Sequence, residues 1–149
     1  SGGTNRVASI SYAGISFGTD TASANRLDSY EEGTWVPVEP SVGVYNDATR
    51  WGTYTRIGDT VTAHFNTRIN NNSSSNGISL TGLPFTSNGT GNSYRYGGFM
   101  TYTTRGAEYH FLVGNGNSTI YFNSLSGQGD TCANWSDKYC RGFVIYKTG

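Results

Sequence analysis

The chain has 149 residues, of which 13% are charged, with 10 Lys and Arg set against 10 Asp and Glu. That length suits one domain that buries its own core, and sparse, balanced charge supplies no field to hold nucleic acid or an anionic membrane surface. The 21 Gly, 11 Tyr and 7 Phe beside a single Met describe aromatic and β-branched strands joined by Gly, Asn and Ser turns, so an all-β fold with few helices is expected.

Ser1-Gly2-Gly3 reads as a cut end or a cloning scar, which leaves room for an upstream portion. The N-terminus lacks a charged stretch followed by an apolar one, and no apolar run approaches the roughly 20 residues that cross a bilayer, so no membrane insertion is expected. Residues 6–24 alternate only briefly, with Ile10 and Tyr12 on one face and Ile15 and Phe17 on another after Gly14. Such a piece is marginal alone and reads as the end of a longer fibrous or paired region.

The segment 25–37, NRLDSYEEGTWVP, is a compact elbow. Asn25, Asp28 and Ser29 form turns, Gly33 breaks any helical turn, and Thr34-Trp35-Val36 makes a strand that Pro37 stops. Trp35 is the expected anchor of the core. Residues 39–50 form a loop broken by Pro40, Gly43 and Asn46-Asp47, with a short strand at 42–45.

Residues 51–57 form the next strand, and Gly58-Asp59 turns it into 60–69, the cleanest alternation in the chain. There Val61, Ala63, Phe65, Thr67 and Ile69 share one face, while Thr62, His64, Asn66 and Arg68 share the other, as in an antiparallel sheet with one buried side. The polar run NNNSSSNG at 70–77 is a loop, 78–80 a short strand, and Gly82-Leu83-Pro84-Phe85 a corner against the core. Residues 87–92 form a further polar loop. Strands at 94–103, 109–113, 119–123 and 142–146 complete about eight or nine. Their spacing predicts an antiparallel β-sandwich of jelly-roll type.

The phrases GISFGTDTASANRLDSYEEGTWVP, YTRIGDTVTAHF and ISLTGLPFTS, in that order between Gly14 and Thr86, resemble the C-terminal region of tail-fibre and tailspike-like proteins of tailed bacteriophages. The resemblance covers roughly half of the chain and ends at Thr86. It implies a virion protein, extracellular when acting, whose distal β-domain meets a host cell-surface receptor as a homotrimer. It also implies a shaft-to-tip junction over 1–24 and a receptor-binding domain over 25–149, with receptor choice written in the second half.

Glu31 and Glu32 are adjacent carboxylates, the pair a glycosidase would need, but neighbours on a strand point to opposite faces and cannot readily flank one bond. His64 and His110 stand on separate strands with no metal-ligand spacing, and the scattered aspartates keep no calcium-loop register, so neither metal nor cofactor is expected. Leu125-Ser126-Gly127 lacks the elbow of a serine nucleophile, and Gly114-Asn115-Gly116-Asn117 lacks the helix of a phosphate loop; both read as turns.

Cys132 and Cys140 bracket a polar stretch in which two outcomes stand open, a disulfide closing a small ring or two separate thiols. If held, that loop offers Trp135 and Tyr139 beside Asp137, Lys138 and Arg141, the mixture of aromatic face and hydrogen-bonding groups that a pyranose requires. For Trp135 the competing reading is a plug packed over the sandwich end. A second group, including Tyr94, Arg95, Tyr96, Tyr102, Arg105, Glu108 and Tyr109, suits either a ligand surface or a subunit interface. The expected function is therefore binding of host-surface glycan without cleavage. A polysaccharide-degrading spike tip, a stand-alone carbohydrate-binding module and a purely structural tip are the alternatives.

Overall fold

The computed structural model describes residues 7–18, 22, 26–27, 29–89, 94–106, 108–125 and 129–149, without the side chains of 94 and 95. The expectations placed on Asn25, Asp28, Ser126 and Gly127, and on the side chains of Tyr94 and Arg95, lie outside the described residues.

The chain is all-β and antiparallel. Strands β1 (Ala8–Ser11) and β2 (Gly14–Phe17) pair with each other as a separate two-stranded sheet. The other eight form one sheet: β3 (Tyr30–Trp35), β4 (Trp51–Ile57), β5 (Thr60–Arg68), β6 (Ser79–Thr81), β7 (Tyr94–Thr103), β8 (Tyr109–Gly114), β9 (Thr119–Ser124) and β10 (Tyr139–Lys147). Their order across the sheet is β3-β4-β5-β10-β7-β8-β9-β6. Two meanders, β3-β4-β5 and β7-β8-β9, are thus joined by the last strand.

The sheet curls until its two edges meet, which gives it the two layers of a sandwich. Val38, just beyond β3 at one edge, exchanges backbone hydrogen bonds with Thr81 of β6 at the other, N–H to O distances being 3.1 and 2.7 Å. Closure of this kind satisfies edge groups that would otherwise template aggregation. Pro37, having no N–H, ends β3 immediately before this junction.

Alternation decides which residues lie inside. On β5 Val61, Ala63, Phe65 and Thr67 are buried, as is Ile69 beyond its end, the face expected from the sequence, and on β10 Cys140, Gly142, Val144 and Tyr146 are buried. Trp35 is the anchor expected of it. Its indole N–H donates to the carbonyl of His64 at 3.0 Å, and its ring lies where a Cβ on Gly52 would come within 2.5 Å. From Trp35 a chain of edge-to-face rings runs through the core to Phe65, Phe111, Phe122 and Trp135, with the last three steps at 5.1, 5.0 and 4.9 Å. Each such pair adds about 0.5–1.5 kcal/mol beyond burial. Phe111 leans over Gly142, where a Cβ would meet its Cε2 at 2.4 Å, so the empty position on β10 is part of the packing.

Candidate functional site

Three of the residues singled out from the second half are brought to one place, the outer face of β10 and β7. Register puts Trp51, Asn66, Arg141 and Tyr102 side by side in one row across β4, β5, β10 and β7. At about 4.8 Å per strand that row is roughly 14 Å long. Tyr139 stands in the next row beside Arg68. On the other side of Arg141 follows the row Thr53, His64, Phe143, Phe99 and His110, in which His64 and Phe143 rings are 5.7 Å apart and Phe143 and Phe99 rings 6.5 Å apart.

Three of these rings are open to solvent, Phe99 being 66% exposed, Tyr102 50% and Trp51 42%, while Phe143 is half-buried and Ile145 is exposed beside it. Two depressions open on the same face, one on each side of the β5–β10 pair. The first, of about 370 Å³, is lined by Phe99, Thr101, Tyr102, Glu108 and Leu125, among others. The second, of about 400 Å³, is lined by Glu32, Thr34, Thr53, Thr55 and His64, among others.

A β-bulge delivers Tyr102 to this face. The β10–β7 register shifts between Arg141 and Gly142, so that Thr101 is the extra residue, and its hydroxyl donates to the Arg141 carbonyl at 3.2 Å. Bulges re-aim side chains in this way beside functional surfaces. Arg141 is itself oriented from two sides: Nε donates to Oδ1 of the buried Asn66 at 3.4 Å, and the guanidinium carbon stands 5.6 Å from the Tyr102 ring centre.

Asp137 belongs to a clamp. It pairs with Arg68 at 2.5 Å, and that guanidinium lies over Tyr45 at 4.4 Å and near Tyr139 at 5.2 Å. Burial, which would lower the Arg68 pKa, is outweighed by the hydrogen bond and charge of Asp137 with smaller contributions from Tyr139 and Tyr45, so the guanidinium pKa is raised. Lys138 serves through its backbone, accepting from the Ile69 N–H at 3.0 Å and tying the loop to the end of β5.

Trp135 requires a correction. It is fully buried, with its edges against Tyr109 and Phe122 and its N–H donating to Asp130 at 3.1 Å, so it offers no face to a sugar and acts as the plug. The reason lies at Asp130, whose carboxylate also accepts from Tyr109, Asn134 and the Thr131 N–H and pairs with Arg105 at 3.5 Å. Arg105 is thereby drawn to the loop anchor and away from the outer face. Burial pushes the Tyr109 hydroxyl up to about 12, with the Asp130 hydrogen bond next in effect.

The two cysteines are separate thiols. The stretch between them is not one loop: residues Ala133–Trp135 make a 3-10 turn, and β10 has begun by Tyr139, which buries Cys140 in the core. Cys132 donates to Oε1 of the buried Glu39 at 3.5 Å. Burial first and the Glu39 charge second push its thiol up to about 11, and burial pushes Cys140 well above the ordinary range.

Glu31 and Glu32 take opposite faces of β3 as strand geometry requires, Glu31 accepting from Tyr54 at 2.6 Å and Glu32 from Tyr30 at 2.9 Å. They do not converge on one bond. Among the described residues no group of three His, Cys, Asp or Glu side chains could hold a metal ion. Trp51, Asn66, Phe99 and Phe143 are members of the face that sequence reasoning missed. Asn66 did fall on the polar side of the 60–69 alternation, but only strand order brings it beside Arg141.

No protein-family model and no curated protein matches the chain.

Proposed function

We propose that this chain is the distal receptor-binding domain of a phage tail fibre, holding host cell-surface carbohydrate without cleaving it, and that it works as a homotrimer on the virion. The observation that carries the reading is the outer face of β4, β5, β10 and β7, where exposed Trp51, Tyr102 and Phe99 stand among His64 and Arg141, the latter oriented by the buried Asn66. Aromatic rings set among guanidinium and imidazole groups suit a pyranose, whose C–H face is apolar and whose rim is hydroxylated. The face is shallow, so a single contact would be weak, and three linked copies would raise the effective affinity.

The hairpin of β1 and β2 supports the oligomeric part. Val7 is 85% exposed and Ile10 84%, and Tyr12 and Phe17 are open as well. A bare two-stranded hairpin is marginal in water, and these side chains suit burial against copies of themselves.

The test is retention of the purified chain by host cells and by isolated host polysaccharide, with release of reducing ends assayed in parallel. Binding with no new reducing ends is expected. Release of reducing ends would turn the reading to a depolymerase, and absence of binding to cells by correctly assembled oligomers would turn it to a structural tip.

A further inference from the structure

We infer that the Arg141–Tyr102 step of the outer face selects a carboxylate-bearing sugar. The inference rests on the glycan-binding reading above and narrows it to acidic glycans.

Charge is the first ground. Arg68 is matched by Asp137, Arg105 by Asp130 and Lys147 by Asp59, whereas Arg50, Arg56, Lys138 and the exposed Arg141 have no carboxylate partner among the described residues, and of these four Arg141 is the one that stands in the row of Trp51 and Tyr102 on the outer face. Its neighbours in the row are Asn66 and Tyr102, both uncharged. A guanidinium left without a counter-ion on an aromatic face is complementary to an anion.

Orientation is the second. Asn66 takes the Nε hydrogen and Tyr102 lies near the guanidinium carbon, so the group is held from two directions while its terminal nitrogens keep no protein acceptor among the described residues. A pair of parallel N–H groups fits the two oxygens of a carboxylate, a match that a lysine ammonium cannot make. The bulge at Thr101 then supplies the rest of the site, because it sets the half-exposed Tyr102 ring beside the depression of about 370 Å³. A sugar with its carboxylate on Arg141 can lay its C–H face on Tyr102. Glu108, on the far side of β7 from Arg141, lines the same depression and is placed for hydroxyls or an amino group, not for the acid. The two charges therefore give the sugar one direction across the strand.

The probe is an array of hexuronate- and sialate-containing oligosaccharides, each printed beside its carboxyl-reduced neutral counterpart, with isolated host polysaccharide included. The wild-type chain should be retained by acidic members and lose about tenfold to a hundredfold in affinity on reduction, the worth of a hydrogen-bonded charge. Arg141→Gln should show the same loss, Arg141→Lys an intermediate one, and Lys147→Gln, which removes equal charge elsewhere, none. Unchanged thermal melting checks that the variants fold. Equal binding of acidic and reduced members, or an Arg141→Gln chain that binds as well as wild type, overturns the inference while the glycan reading stands. A changed native mass in Arg141→Gln also overturns it, assigning the face to contact between copies. Retention by no member and by no host polysaccharide overturns both.

Discussion

Asp130 shows how one side chain decides what a loop can do. Its carboxylate takes hydrogen bonds from Tyr109, Trp135, Asn134 and the Thr131 backbone, and pairs with Arg105, at a position where its own side chain is 9% exposed. Burial alone would raise its pKa, but the hydrogen bonds, led by that from Tyr109, and the Arg105 charge prevail and hold it below the ordinary range. A folded pKa below the unfolded value of about 3.9 means that the stabilisation is complete above that pH and is withdrawn as pH falls through the folded value. Asp130→Asn should cost about 1–3 kcal/mol near neutrality, where charged hydrogen bonds are exchanged for weaker ones. In paired melts from pH 7 to pH 2, the gap between the two proteins should close in the acid range. A gap independent of pH would mean that the charge is not what holds the loop. The thiols give a second expectation at this scale. Because burial raises both, Ellman's reagent at pH 8 should react slowly with the native chain and titrate two thiols per chain in guanidinium without reductant. No thiols under those conditions would establish a bridge.

Strands were legible wherever period-two alternation met a one-sided burial, and β5 is the clearest case. Val61, Ala63, Phe65, Thr67 and Ile69 fall inside because a single residue of slip would turn five side chains to water. The reach of β10 was less legible. Its start at Tyr139 is polar and looks like loop, and only pairing with β5 and β7 extends it there. That extension buries Cys140 and brings Arg141 to the outer face, so the ring of two cysteines and the row around Arg141 could not both be read from spacing. Trp135 was misplaced for a related reason: its partner Asp130 sits five residues away, and an acid there looks no different from any surface aspartate. The glycine at 142 matters for the same strand. Adding a Cβ would bring it within 2.4 Å of Phe111 and 2.6 Å of the Phe99 carbonyl. Gly142→Ala should therefore destabilise by about 1–3 kcal/mol as an overpacking change, while Gly129→Ala, whose Cβ meets nothing, should be near neutral in the same denaturation series.

At the scale of the whole molecule, two bodies of unequal self-sufficiency share the chain. The eight-stranded sheet closes on itself through Val38 and Thr81 and fills its interior with linked aromatic rings. The hairpin of β1 and β2 has four long apolar side chains in water and ties to the following segment through the bridge between Ile15 and Leu27. If the hairpin gathers copies of the chain, as proposed, folding and assembly should be separable. Light scattering on residues 1–149 is expected to give a mass near three chains that persists on dilution, whereas a chain shortened to begin at residue 26 should fall to one. The shortened chain should still melt cooperatively, because Trp35, Phe65 and Phe111 lie wholly beyond the cut. Its affinity for host polysaccharide should drop by about a hundredfold or more through loss of multivalency, with each single site unchanged. A full chain that is monomeric at every concentration would remove the subunit contacts and leave a one-site carbohydrate module. A shortened chain that stays trimeric would move the contact onto the sheet itself, where the exposed Phe99 and Ile145 stand beside the half-buried Phe143 on the outer face.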